Sequence, residues 1–288
     1  MIVDQERLFK DVLWLTSVIP SRNFWNIEVL AEVADELYHR FQTLGLASTK
    51  QVFEADEQTF SNIFATIGPQ DAERIIIAAH YDVCGEIAGA DVNASGVAGI
   101  LELARLLKQS AITFNYQIEF ALYGLTEAPY FGTDLMGSLH HLQQLKAAQV
   151  SVHSMLALSG IGYFSDEPNS QEYPMPALTV KHPAVGNFIG ISCLKEQSDW
   201  FNQVSVGIQA HTLLPVELIV YPVNNDNLGI ADHRCFLRKG YRAAMIGNGG
   251  VNRNPNYHQI PDTIETLDFT RMAEVVSGLF GFLADIQG

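Results

Sequence analysis

A histidine and an aspartate two residues apart, His80-Tyr81-Asp82, close the apolar run Ile75-Ile76-Ile77-Ala78-Ala79. In a strand such residues share a side, so the carboxylate can hold the imidazole in one tautomer while the other ring nitrogen binds a metal. By itself the pair reads more simply as a buried histidine satisfied by its neighbour. Gly89-Ala90-Asp91-Val92-Asn93-Ala94-Ser95-Gly96 then combines small residues, which allow close backbone approach, with the start of a helix, whose free N–H groups favour an anion. Helix capping by Asn93 or Ser95 would also account for it. Further on come one carboxylate after an apolar stretch, in Thr126-Glu127, and one late histidine, in Tyr257-His258, with Asp262-Thr263 close behind.

The elements that must position these groups follow from periodicity. Asn26 is placed to cap a helix whose Leu30, Val33, Leu37, Phe41 and Leu44 recur at spacings of three and four, with Gly45 as its stop. Ile63–Ile67 and Ile75–Ala79 are β-prone, the second apolar enough to be buried on both faces. A helix follows from about Ser95, a strand over Tyr116–Tyr123, a helix over Met136–Ala147 and a buried strand over Met155–Leu158. The second half predicts a helix around Val185–Val204, strands at Glu217–Tyr221 and Ala243–Ile246, and a closing helix capped by Asp268. Ser165–Pro176 and Tyr221–Asn227 read as loops within the domain. Strands alternating with helices imply one α/β domain over 1–288, three layers deep, with a largely parallel or mixed central sheet. In such sheets ligands bind beyond the carboxyl ends of the strands, which is where these polar residues fall.

Composition narrows the function. The 288 residues carry 32 Asp+Glu against 17 Lys+Arg, a net charge of -15, so neither nucleic acid nor an anionic membrane is an expected partner. Cys84, Cys193 and Cys235 are an odd set in a chain too large to need disulfide staples; Cys84 follows His80-x-Asp82 closely enough to approach a metal, but a free cysteine most commonly serves as a small buried apolar group. The opening Met-Ile-Val-Asp-Gln-Glu-Arg has acids where a signal peptide has positive charge, and no stretch approaches the roughly 20 apolar residues of a bilayer span. The expectation is a soluble cytoplasmic protein.

Taken in order, His80-x-Asp82, the Gly-Ala-Asp-Val-Asn-Ala-Ser-Gly loop, Thr126-Glu127, Leu158-Ser159-Gly160-Ile161-Gly162, and Tyr257-His258 before Asp262-Thr263 resemble the dinuclear-zinc aminopeptidases. That family also includes the glutaminyl cyclases, whose corresponding stretch Asp232-His233-Arg234-Cys235-Phe236 is similar to. The resemblance covers nearly the whole chain and implies a zinc-exopeptidase fold. It further implies two zinc ions bridged by a loop aspartate, with a glutamate as general base. Carried over by position, His80, Glu127 and His258 stand at metal ligands, with Asp82 behind the first.

The departures carry as much weight. Val92 stands at the bridging-aspartate position, Thr126 at the general base and Ser159 at the remaining acidic ligand. Valine has no donor atom, and a neutral hydroxyl is a poor zinc ligand and a poor base. Sliding the register to use Asp91 conflicts with the Asn-Ala-Ser-Gly anchor. The expectation is therefore a chain that keeps the family's cleft but has lost dinuclear hydrolysis, and binds a peptide or small amine with no zinc. The alternative is an enzyme with one zinc on His80, Glu127 and His258, in which Asp91 or Asp232 replaces the base.

Overall fold

The computed structural model describes residues 1–222 and 231–287. Its helices are α1 (Gln5–Thr16), α2 (Ile27–Thr43), α3 (Gly96–Gln109), α4 (Gly137–Ala147), α5 (Pro176–Thr179), α6 (Ser198–Gln209), α7 (His233–Arg238) and α8 (Phe269–Asp285). Its strands are β1 (Ala47–Ala55), β2 (Gln58–Ile67), β3 (Arg74–His80), β4 (Gln117–Tyr123), β5 (Val152–Ser159), β6 (Ile189–Leu194), β7 (Val216–Tyr221) and β8 (Ala243–Gly247). They form one sheet in the order β1-β2-β4-β3-β5-β8-β6-β7. The pairs β4–β3, β3–β5, β5–β8 and β6–β7 are parallel, whereas β1–β2, β2–β4 and β8–β6 are antiparallel. The mixed three-layer α/β fold is the one expected.

The central strands are apolar throughout because both of their faces are covered. Successive strand residues point to opposite faces. Ile75, Ile77 and Ala79 of β3 therefore join the core beneath α1, α2, α3, α6 and α8, while Ile76 and Ala78 join the one beneath α4 and α7. Strand β4 divides likewise, with Phe120 and Leu122 on the first side and Ala121 and Tyr123 on the second. Each amphipathic helix contributes one stripe: Leu30, Val33, Leu37 and Phe41 of α2, and Met272, Val276, Leu279 and Leu283 of α8.

Two expectations change. Residues 185–204 do not form one helix: Ile189–Leu194 is strand β6, and helix begins only at Ser198. Ile189, Ile191 and Cys193 are fully buried on the sheet and alternate with Gly190 and Ser192, the period of two that belongs to a strand. Asn26 occupies the N-cap of α2, but its side-chain amide donates to the Ser21 carbonyl and to Glu86, leaving the helix uncapped by side chain. Asp268 does cap α8, accepting from the Arg271 N–H at 2.9 Å. The expected loop from Tyr221 to Asn227 lies mostly outside the described residues. Among the described residues no helix is long and apolar enough to cross a membrane.

Parallel strands β3, β4, β5 and β8 end side by side, His80 against Tyr123 and Ser159 against Gly247. Gly247 is there because nothing larger fits: a Cβ would overlap the carbonyl oxygen of Ser159. Backbone cannot yield as a flexible side chain does, so Gly247→Ala should destabilise the fold by about 2–3 kcal/mol in urea denaturation.

Candidate functional site

Beyond those strand ends lies a buried polar cluster. His80 is 1% exposed, and its Nδ1 faces the backbone oxygen of Asp82 at 3.1 Å and the Asp82 Oδ1 at 3.5 Å. Its Nε2 points at Glu127 Oε1, 3.8 Å away, and has no hydrogen-bond partner among the described residues. Burial is the largest influence on this imidazole and disfavours its charge. Hydrogen bonding to Asp82 and the charges of Glu127, Asp82 and Asp232 outweigh it, raising the pKa to about 9. Asp82 also reaches across to β4's exit, where its Oδ2 accepts the Glu127 N–H at 2.9 Å.

Glu127 is the centre of the group. Its Oε1 lies 3.0 Å from His258 Nε2, and Glu127, His258 and Cys84 each offer a donor atom within 4.8 Å of the other two. Leu125 and His258 both adopt left-handed backbone, at φ 58° and 56°, a conformation that costs a non-glycine residue about 1–3 kcal/mol and tends to be retained where a side chain must be aimed. Tyr257 stacks on the His258 ring at 3.9 Å between centroids and holds its plane. Cys84 is only partly buried, contrary to its reading as an enclosed apolar group, and burial together with Glu127 and Asp82 pushes its thiol up.

The remaining residues named from sequence are buried at the strand ends and in the loops beyond them. Thr126 donates its hydroxyl to Asp232 Oδ1 at 2.7 Å. Asp232 is raised to about 6 by burial, against the opposing pull of His80 and the Thr126 hydrogen bond. Val92 is 2% exposed, and Ser159 closes β5 at 7%. Asp91, beside Val92, is fully buried in a cage of donors: Oδ1 accepts the N–H groups of Gly162 and Tyr163 at 3.0 Å, and Oδ2 accepts the amides of Asn248 at 2.7 Å and Asn254 at 2.9 Å.

Asn93 and Ser95 do not cap α3. The Asn93 amide instead donates to the Leu158 carbonyl, and the Ser95 hydroxyl donates to the Asp91 carbonyl while accepting the Ile161 N–H. Asp262 accepts the N–H groups of Asp91 at 2.8 Å and Val92 at 3.2 Å. Asn248, Asn254 and Asp262 shape the site although sequence reasoning assigned them no role. Only the position of Asp262 just after His258 hinted at one.

Two measurements check this electrostatic arrangement. Asp91→Asn would turn one amide N–H group towards donors, and a loss of about 3 kcal/mol in denaturation is expected. Asp232 ionises at about 6 in the folded chain against an ordinary 3.8, so the native state holds this proton more tightly than the unfolded one. That contribution favours folding below about pH 4 and is withdrawn as pH rises through 6, by up to about 3 kcal/mol. Asp232→Asn lacks the titration, so its stability relative to the parent should improve by up to that amount between pH 4 and 7.

Comparison with known proteins agrees with this architecture. Residues 62–282 match peptidase family M28. The chain is 34% identical over 290 aligned positions to the uncharacterized protein YfbL of Escherichia coli (strain K12), covering 96% of this chain and 87% of YfbL. It is 26% identical to a probable leucine aminopeptidase 1 of Trichophyton verrucosum over 78% of this chain, spanning 57% of that longer protein. In three dimensions it superposes on BSAP, a zinc aminopeptidase from Bacillus subtilis, with a TM-score of 0.78 at 14% identity, over 99% of this chain and 95% of the other. With the motif order, the sheet and the strand-end cluster in agreement, the chain belongs to peptidase family M28.

Proposed function

We propose that this M28 chain retains the family's cleft as a binding site for a peptide or small amine and has lost hydrolysis through a pair of zinc ions. The observation that carries the reading is the state of the loop between β3 and α3. The residue at the bridging position is Val92, and both oxygens of its acidic neighbour Asp91 are taken by four N–H donors. Two cations about 3.5–4 Å apart repel unless a shared anion lies between them, and this loop offers none. The donor set argues the same way, since Ser159 supplies a neutral hydroxyl and His80 would be the one family ligand left to its ion. Thr126 holds its proton against Asp232 and is no acceptor for one from water. Glu127, Asp82 and Asp232 supply negative charge suited to an ammonium group.

A second reading is supported by the convergence of His80 and His258 on Glu127 Oε1, at 3.8 and 3.0 Å. A single zinc held by these residues would supply a Lewis acid for a mononuclear aminopeptidase. Asp91 is too fully engaged to be its base, which leaves Asp232, poised at about 6.

Mass-spectrometric metal analysis of zinc-dialysed protein and turnover of aminoacyl anilides test both readings. The first expects fewer than two zinc ions per chain and no turnover above background; two ions with turnover would overturn it. Turnover with one ion, abolished by Asp232→Asn, would establish the second. Restoring the family's donors with Val92→Asp, Thr126→Glu and Ser159→Asp together is expected to raise zinc occupancy towards two.

A further inference from the structure

We propose that Cys84, Glu127 and His258 form a mononuclear zinc site in which the Cys84 thiolate supplies the anionic donor that Val92 cannot. The inference deepens the reading of the cleft as one without a zinc pair. Cys84 stands at none of the positions carried over from the family's ligand pattern, and what brings it in is geometry. Its Sγ, a Glu127 carboxylate oxygen and a His258 ring nitrogen all lie within 4.8 Å of one another, and Glu127 Oε1 and His258 Nε2 are already 3.0 Å apart. Donors sharing a tetrahedral zinc, at about 2.0–2.3 Å from it, sit roughly 3.3–3.7 Å from each other, so a small inward movement of Cys84 completes the set.

The segment carrying the thiol is held on both sides of it. Val83 N–H donates to the Arg22 carbonyl at 3.0 Å, and the Gly85 carbonyl accepts the Asn23 amide at 2.8 Å. On the opposite side Tyr257 fixes the His258 ring by stacking.

A second, independent observation points into the same space. His80 is buried, and its Nε2, lacking a hydrogen-bond partner among the described residues, is directed at Glu127 Oε1. A buried ring nitrogen without a partner is costly unless something fills the gap. A water in the fourth position of a Glu127-bound ion would do so, its oxygen accepting from Nε2.

Charge accounting favours the same arrangement. With valine in the loop, Glu127 would be the one anionic ligand of a dication, whereas thiolate plus carboxylate neutralise it from within the ligand set. Sulfur, imidazole and carboxylate together suit zinc, a borderline-soft ion, better than magnesium or calcium. Three protein ligands leave one position open to a bound molecule.

Cobalt(II) makes the thiolate visible, because a sulfur–cobalt bond adds a charge-transfer band in the near ultraviolet that oxygen and nitrogen ligands do not give. Intact protein dialysed against cobalt(II) should bind one ion per chain and show the band. Cys84→Asp should keep the ion without the band, and Cys84→Ala should weaken zinc binding about tenfold or more, since even residues behind a ligand cost 10–100-fold. Cys193→Ala should change neither. No metal uptake by the parent, a bound ion without the band, or undiminished affinity in Cys84→Ala would overturn the proposal. If Cys84→Ala fails to fold, the band and its loss in Cys84→Asp still decide. Turnover of aminoacyl anilides would overturn the non-hydrolytic reading and leave Cys84 ligation standing; a missing band would do the reverse.

Discussion

A carboxylate removed from water as completely as Asp91 costs several kcal/mol unless its oxygens are given donors, and supplying them ties the cleft together. The four donors come from Gly162 and Tyr163 after β5, from Asn248 after β8 and from Asn254 in the segment leading to His258. Asp262 then accepts the backbone N–H groups of Asp91 and Val92, so the returning chain grips the loop it has passed. A change in any one of these segments would leave the carboxylate short of a donor. The loop around Val92, the exit of β5 and the approach to His258 are therefore placed by a single buried charge.

That constraint bears directly on chemistry. Asp91 stands next to Val92, but its carboxylate is committed to holding the scaffold. Glu127 is differently placed: its N–H is fixed by Asp82, while its carboxylate is left to face His80 and His258. The contrast is between a carboxylate spent on structure and one left with coordination capacity. It is the second that brings Cys84 into play.

Different parts of the fold were legible to different degrees. The runs in β3, β4 and β5 are apolar because helices cover both faces, and that burial is written into composition. Strand β6 departs from the helix expected around Val185–Val204: Ile189, Ile191 and Cys193 alternate with Gly190 and Ser192, but this period of two is short and gives way to helix by Ser198. Helix α1 and the edge strand β1 drew no expectation. Much of β1 is exposed, with a pattern set by its pairing to β2 more than by any run of its own. Asn26 shows the limit of reading caps from residue type, since Ser21 and Glu86 compete successfully for its amide.

By itself the sequence determined the family and the layered α/β class, because burial and motif spacing are local properties that survive without coordinates. It named His80, Glu127 and His258, with Asp82, Asp91, Val92, Thr126, Ser159 and Asp232 around them. Only the tertiary structure decided how these side chains are used: that Asp91 is caged, that the Thr126 hydroxyl donates its hydrogen bond to Asp232, and that Cys84 faces Glu127 and His258. Each depends on groups distant along the chain meeting in space, Thr126 and Asp232 at 2.7 Å and Cys84, Glu127 and His258 within 4.8 Å of one another. Hydrogen-bond and metal-ligand chemistry act over that distance in space and take no account of separation in sequence.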